Sequence, residues 1–188
     1  PLIYLDSAAS SQKPRAVIES QREYLSHFHS NIHRGAHALA TQATDAFEGS
    51  REIVREYFNA SKSSEIVFTS GATEANNMAL YCSVRDLGIK KILSSPTEPH
   101  CNLHMFDYLQ KHKLASVEML DVDQFGHIDY EALDEKLSNE NEDVMLSLMH
   151  GNNELGTIHN MDRLGEICKK YNVLFHSDAA QTIGKIPI

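Results

Sequence analysis

The sequence lacks the marks of several protein classes. No apolar run approaches the roughly 20 residues of a membrane-spanning helix, and no signal-peptide pattern is present, so a cytoplasmic protein without a membrane partner is expected. Basic runs are also missing: 17 Lys and Arg residues stand against 26 Asp and Glu, and the formal net charge is -9. This balance argues against a nucleic-acid partner, because nucleic-acid binding depends on clustered Lys and Arg.

Cysteine is scarce, which excludes a disulfide framework. The three cysteines, Cys82, Cys101 and Cys168, are far apart and show no metal-type pairing. Each is expected to be a small buried or half-buried thiol. A chain of 188 residues with 41% hydrophobic residues can nevertheless bury a core, and a single domain over residues 1–188 is predicted.

Apolar runs alternate with segments of helical period along the chain. This alternation is typical of an α/β protein with a mostly parallel sheet and helices on both faces. Strands are predicted at residues 3–5, 65–69, 91–93, 115–119, 144–149 and 172–174. Helices are predicted at residues 14–28, 41–58, 73–86, 100–111, 130–137 and 161–171. Residues 182–188 do not supply the strand and helix that would complete this architecture, so the sequence is expected to be cut at its C-terminus.

An acidic residue, Asp178, follows the last predicted strand. In open α/β sheets ligands bind in the crevice outside the carboxyl ends of the strands. An acid at that place could bind a cationic ring nitrogen, or it could be a solvated strand-end residue or a helix cap. The segment by itself leaves both interpretations open.

A second candidate site lies at residues 70–74, where a predicted strand meets a helix N-terminus. Gly71 allows close approach, and the Thr73 hydroxyl could donate to a phosphate oxygen next to free backbone N–H groups. The alternative is an ordinary cap, with Thr73 as the N-cap residue. The segment lacks the Gly-Lys-Ser/Thr of a Walker loop, and the chain lacks a dinucleotide-binding glycine fingerprint, so a nucleotide-binding module is only a weak alternative.

Two further loops are predicted at the same edge of the sheet. Residues 150–156 supply amides, and residues 97–102 supply histidine, cysteine and carboxylate groups. The spacing within 97–102 is poor for metal ligands, so no metal site is predicted, and the adjacent His100 and Cys101 are not placed to act as a nucleophile and its base. Taken together, the four loops predict a site for a phosphorylated, cationic aromatic ring.

Several stretches resemble the cysteine desulfurases of the class V aminotransferase group, which are pyridoxal-phosphate enzymes. Residues 4–10, 33–37 and 43–45 resemble the sulfur-mobilising and selenocysteine-lyase branch. Residues 149–156 are more like the branch that serves iron–sulfur cluster and nitrogenase assembly. The resemblance covers nearly all of the chain as an N-terminal half. It implies the large domain of a fold-type I pyridoxal-phosphate-dependent transferase, incomplete at the C-terminus, and pyridoxal 5'-phosphate as the cofactor.

The resemblance also implies which residues bind the cofactor. Asp178 would pair with the pyridinium nitrogen. Gln181 and Asn153 would hydrogen-bond the phenolic oxygen of the ring. Ala72 and Thr73 would bind the phosphate, through a backbone N–H and a hydroxyl.

Other matched residues would support these contacts. His176 would lie behind the acid. His33 and Arg34 resemble a loop near the active site, although a purely structural loop is the alternative for both. Where the family has a histidine stacked on the ring, this chain has Pro99, and His100 follows. Either His100 takes that catalytic role or stacking is lost, and we expect the chain to be impaired at this position.

The family's Schiff-base lysine and persulfide-forming cysteine have no match in residues 1–188, so the chain alone is expected to be inactive. An intact enzyme of this kind would convert L-cysteine to L-alanine. It would pass sulfur as a persulfide to an acceptor or scaffold protein for iron–sulfur cluster assembly, and it would be a homodimer. The alternatives are a selenocysteine lyase, a class V aminotransferase, or a degenerate non-catalytic half-protein that binds a partner.

Overall fold

The structure, a computed structural model, describes residues 3–187. The chain divides into two compact units, the first reaching to Phe68 and the second beginning at Thr69. None of the helices in the described range has the length and apolar composition needed to cross a bilayer. The single domain predicted over residues 1–188 stays a prediction.

The first unit is helical. Its elements are α1 (Arg15–Glu23), a π-helical turn (Tyr24–Phe28), α2 (Ala38–Tyr57) and a 3₁₀ turn (Ser63–Glu65). The helix α2 begins at a side-chain cap, because the His37 ring accepts a hydrogen bond from the N–H of Ala40. Both helices were predicted from their periodicity, and the π-helical turn forms the last five residues of the first predicted helix.

Two of the strands predicted from composition are wrong. Residues 3–5 are not in a strand, and Glu65 ends the 3₁₀ turn. No strand within residues 3–187 hydrogen-bonds to residues 66–69. A run of β-branched and aromatic residues fits a pleated surface, but it becomes a strand only when a neighbouring strand supplies the ladder of hydrogen bonds.

The second unit is an α/β sandwich. Its helices are α3 (Ala72–Asp86), α4 (His100–Lys111), α5 (Tyr130–Ser138) and α6 (Met161–Lys170). Its strands are β1 (Lys91–Ser94), β2 (Ser116–Met119), β3 (Val144–Ser147) and β4 (Leu174–His176). Each element overlaps a predicted one, so the predicted alternation is confirmed here.

The four strands form one sheet in the order β2-β1-β3-β4, and all pairs are parallel. Side chains alternate between its faces: Leu93 and Leu146 belong to one buried cluster, and Ile92 and Met145 belong to the other. The first cluster includes residues of α5 and α6, and the second includes residues of α3 and α4. Helices therefore cover both faces, as predicted, and β3 is buried along its whole length.

Because the strands are parallel, their carboxyl ends meet at one edge of the sheet. The loops that follow β1, β3 and β4 therefore lie side by side there. The helix α3 precedes β1 in the chain and packs beside it, so its N-terminus points to the same edge.

Candidate functional site

The N-terminus of α3 presents unpaired main-chain donors. Gly71 is the N-cap residue and no side chain caps this helix, so the N–H groups of its first turn have no partner within the helix. Ala72 and Thr73 are exposed in that turn. Thr73 lies inside the helix rather than at its cap, which excludes the ordinary cap that the sequence left open. The arrangement suits an anion.

A carboxylate of this turn, that of Glu74, is hydrogen-bonded within the loop that leads into α3. Glu74 accepts hydrogen bonds from the N–H of Ser70, at 2.7 Å, and from its hydroxyl, at 2.6 Å. These bonds, the hydroxyl first, lower the pKa of Glu74. The acid therefore fixes the turn that leads into α3.

Asp178 is buried just after β4 and both of its carboxylate oxygens accept hydrogen bonds. Oδ2 accepts from Nδ2 of Asn76, at 2.7 Å, and Oδ1 accepts from the N–H of Ala180, at 2.9 Å. The carbonyl of Asp178 also accepts from the N–H of His150, at 2.9 Å. Since Asn76 lies one helical turn after Ala72, the buried acid and the open N-terminus of α3 are neighbours.

Glu98 is a second buried carboxylate and joins two of the loops. Its Oε1 accepts from the N–H of Met149, at 2.7 Å, and its Oε2 accepts from Nδ2 of Asn102, at 2.9 Å. Burial raises the pKa of Glu98 to about 7, and the charge of Asp178 adds to this rise, while the two hydrogen bonds oppose it. The loop after β1 is thereby tied to the loop after β3.

A cleft of about 310 Å³ lies between these two loops. His100 and Asn153 both line it. Nδ2 of Asn152 donates to the carbonyl of Thr97 across the cleft, at 2.7 Å. His100 is the exposed first residue of α4, and Pro99 is the N-cap residue. The structure thus brings two of the predicted site residues to one cleft.

Gln181 lies in the turn after β4, three positions after Asp178. Its Oε1 accepts a hydrogen bond from Nζ of Lys185, at 3.2 Å. Thr182 Oγ1 and His150 Nδ1 are hydrogen-bonded at 2.9 Å, which connects this turn to the loop after β3. Gly151 leaves room for Thr182: a Cβ at that position would lie 2.5 Å from the Thr182 methyl carbon. Contacts with the loop after β3 therefore fix the position of this turn.

His176 occupies the last position of β4, two residues before Asp178. Its Nδ1 is hydrogen-bonded to the Ser147 hydroxyl at 2.9 Å. Burial lowers the pKa of His176, and the charge of Asp178 partly opposes this change. The imidazole is thus held between neighbouring strands rather than at the open edge.

His33 and Arg34 lie in the first unit. The N–H of His33 donates to the Thr44 hydroxyl at 3.1 Å, and its Nε2 lies 3.1 Å from the Glu48 carboxylate. These contacts account for the shape of the loop before α2 without a ligand. The structural alternative for His33 therefore has direct support.

The remaining candidate groups do not form a competing centre. Within residues 3–187 no group of three or more His, Cys, Asp or Glu residues could hold a metal ion. The cysteines are free and buried or half-buried, as predicted.

A larger groove of about 630 Å³ lies between α5 and α6. Two of its basic residues are paired with acids of the groove, Arg163 with Glu131 and Lys170 with Asp134. We assign the site to the carboxyl-end edge of the sheet, which holds the open N-terminus of α3, the buried acids Asp178 and Glu98, and the cleft lined by His100 and Asn153.

Sequence reasoning missed Asn76 and Glu98 as site residues. The spacing of Asn76 could have indicated its place, because it lies four positions after Ala72 and therefore on the same helix face. The place of Glu98 could also have been inferred, because it follows a turn of small residues directly after a buried strand.

Comparison with known proteins places this chain in a family. The family model for aminotransferase class-V matches residues 3–188. A probable cysteine desulfurase of Halalkalibacterium halodurans is 38% identical over 184 residues, which are 97% of this chain and 45% of that protein. The mitochondrial cysteine desulfurase of Drosophila melanogaster is 36% identical over 188 residues, which are 99% of this chain and 40% of that protein.

A solved structure of a cysteine desulfurase is also similar to this chain. The apo structure of the cysteine desulfurase from Thermococcus onnurineus NA1 has a TM-score of 0.86 and 33% identity, and the match covers 98% of this chain and 45% of that one. The chain spans less than half the length of these relatives. Because the family model and these relatives match nearly the whole chain, the chain belongs to the class V aminotransferase family.

Proposed function

We propose that the strand-end site binds pyridoxal 5'-phosphate. The observation that carries this proposal is the position of Asp178, a buried carboxylate with both oxygens oriented, beside the open N-terminus of α3. A carboxylate and a helix N-terminus are the partners that a pyridinium ring and a phosphate need. When bound, pyridoxal phosphate supplies an electron sink for charge that develops on the substrate carbon.

Each residue of the site has a proposed part. Asp178 keeps the ring nitrogen protonated, while Ala72 and Thr73 hold the phosphate. Asn153 and Gln181 bind the phenolic oxygen of the ring. His176 supports the end of β4 behind the acid, and His100 faces the ring and the substrate from the cleft. The part of His33 and Arg34 as active-site loop residues stays a prediction.

The intact protein is proposed to be a cytoplasmic, homodimeric cysteine desulfurase. It would convert L-cysteine to L-alanine and pass the sulfur, as an enzyme persulfide, to an acceptor or scaffold protein for iron–sulfur cluster assembly. The relatives named cysteine desulfurases support this activity. No lysine or cysteine of residues 1–188 matches the family's Schiff-base or persulfide position, so these residues alone are proposed to be inactive.

Cofactor binding can be tested without activity. We expect the 188-residue chain to bind pyridoxal phosphate, as measured by equilibrium dialysis. Asp178→Asn and Thr73→Ala should each weaken binding about tenfold, because each removes a charge-assisted or hydroxyl contact. Thr41→Ala, an exposed threonine on α2, is the matched control. Equal affinity for all four proteins would overturn the proposed site.

The activity itself needs the protein from its native source. Borohydride reduction followed by intact mass measurement should show a cofactor adduct on one lysine. Alanine release from cysteine should accompany it, whereas residues 1–188 alone should release none. Cysteine-dependent alanine release by the 188-residue chain would contradict the proposed division of roles.

One residue favours a second candidate function. Pro99, in place of a stacking histidine, has neither an aromatic ring nor a side-chain proton to offer. A non-catalytic chain that binds a partner protein would tolerate that change. A native-source protein of the mass of this chain, without cofactor adduct or alanine release, would support this candidate.

A further inference from the structure

Two histidines lie on one exposed face at the start of α4. His100 and His104 are four positions apart, and their rings are stacked with centroids 6.2 Å apart and planes inclined by 29°. Residues at this spacing are neighbours on a helix surface. Both imidazoles therefore face the same small volume of solvent.

We propose that His100 and His104 form a chelating site for a divalent transition-metal ion such as Cu²⁺, Ni²⁺ or Zn²⁺. A histidine pair at this spacing is the same arrangement that holds zinc in helical zinc motifs. Rotation of exposed side chains between rotamers can bring one nitrogen of each ring to the roughly 2.0–2.1 Å that such ions require. The helix backbone need not move.

The two rings are also free to bind. Within residues 3–187 neither imidazole takes part in a hydrogen bond or an ion pair. Three other exposed histidines differ in this respect, because His27, His33 and His127 each lie against a carboxylate. The pair thus combines chelating spacing with unengaged nitrogens.

The chemistry of the pair sets which ions it can hold. In the described part of the chain no third His, Cys, Asp or Glu joins the two rings, so water would complete the coordination. Imidazole nitrogen favours Cu²⁺ over Ni²⁺ and Zn²⁺, whereas Ca²⁺ and Mg²⁺ require oxygen ligands. We expect affinity in that order and no binding of Ca²⁺ or Mg²⁺.

This inference does not depend on the proposed cofactor site. His100 does line the cleft, so an ion held by the pair and a ring in the cleft would use the same side chain. The titration is therefore made on the untagged 188-residue chain without pyridoxal phosphate. Ni²⁺ is titrated by calorimetry, and Cu²⁺ is followed by electron paramagnetic resonance to count nitrogen ligands.

The variants separate chelation from binding to single histidines. His104→Gln should weaken Ni²⁺ binding at least tenfold, because the second imidazole is no longer held close to the first. His112→Gln, which changes another histidine at the end of the same helix, should leave affinity unchanged. The double variant His104→Gln/Asp107→His keeps the histidine count, but its two rings lie about 10 Å apart along the helix, so it should bind as weakly as His104→Gln.

The outcomes are distinct. The proposal is supported if Cu²⁺ has two nitrogen ligands in the parent and in His112→Gln. It further requires a single nitrogen ligand in His104→Gln and in the double variant. It is overturned if the double variant binds Ni²⁺ as tightly as the parent, or if His112→Gln loses as much affinity as His104→Gln. Circular dichroism at matched concentrations checks that all variants retain α4, as expected because the three changed positions are exposed.

Discussion

Asn76 donates a hydrogen bond from Nδ2 to Oδ2 of Asp178 at 2.7 Å, and this bond joins α3 to the end of β4 across 102 positions of sequence. A buried carboxylate is costly unless donors surround it, so the orientation of Asp178 depends on a residue of α3. The same helix presents the candidate phosphate site at its N-terminus. One helix therefore sets the relative position of both groups.

Replacing Asn76 by leucine should destabilise the fold. The change leaves Oδ2 of Asp178 buried without its side-chain donor, and we expect a loss of about 1–3 kcal/mol in the free energy of unfolding. Urea denaturation measures it. The control is Asn141→Leu at an exposed position, which should change stability little. Equal effects of the two substitutions would show that the bond to Asp178 contributes nothing.

Glu98 should make stability depend on pH between about 4.5 and 7. Burial raises its pKa in the folded chain from 4.5 to about 7, so in this window the folded state holds a proton that the unfolded chain releases. The free energy of unfolding should therefore fall as pH rises through the window, by a total on the order of 3 kcal/mol, and then level off.

The variant Glu98→Gln cannot titrate and should lose this dependence. Relative to the parent, it should gain stability between pH 4.5 and 7.5, as measured by urea denaturation at both values. The exposed Glu154→Gln in the same cleft is the matched control and should follow the parent. Parallel curves for the parent and Glu98→Gln would exclude a buried, proton-linked Glu98.

Gly151→Ala should be destabilising because of Thr182. The added Cβ would lie 2.5 Å from the Thr182 methyl carbon, and overpacking of this kind costs about 1–3 kcal/mol. Thr182→Ser removes that methyl group and keeps the hydroxyl that bonds His150. The double variant should therefore recover most of the loss.

A double-mutant cycle in urea measures the coupling between Gly151 and Thr182. Gly165→Ala is the control, because a Cβ there meets no atom within 4 Å and alanine favours the helix. It should stabilise the protein slightly. Additive effects of Gly151→Ala and Thr182→Ser would refute the proposed contact.

Pro99→His should improve the proposed cofactor site. The residue lines the cleft beside His100, and its extended backbone, with φ at -63° and ψ at 150°, accepts histidine without strain. An aromatic ring there should tighten pyridoxal phosphate binding about threefold to tenfold by stacking. Equilibrium dialysis on the intact protein tests this, with Pro96→His in the same loop as the control. Unchanged affinity would mean that Pro99 does not impair the site.

Local sequence patterns predicted the helices of the second unit because each of them buries one face. The helix α4 was predicted at residues 100–111 and spans His100–Lys111, since its apolar residues recur at helical spacing. The predicted strands 3–5 and 65–69 fail for a physical reason. Their composition suits a sheet, yet the hydrogen bonds that would make them strands must come from other chain segments.

The sequence by itself determined the α/β alternation and the place of Asp178 at a strand end. A helix or strand that buries a face needs apolar residues at its own spacing, and this spacing can be read from neighbouring residues. Only the tertiary structure decided the strand order β2-β1-β3-β4 and the partners of the buried acids. Asp178 is held from α3, and Glu98 binds the main chain of Met149, 51 positions away. A hydrogen bond between distant residues depends on which strands become neighbours, and no local pattern of polarity contains that information.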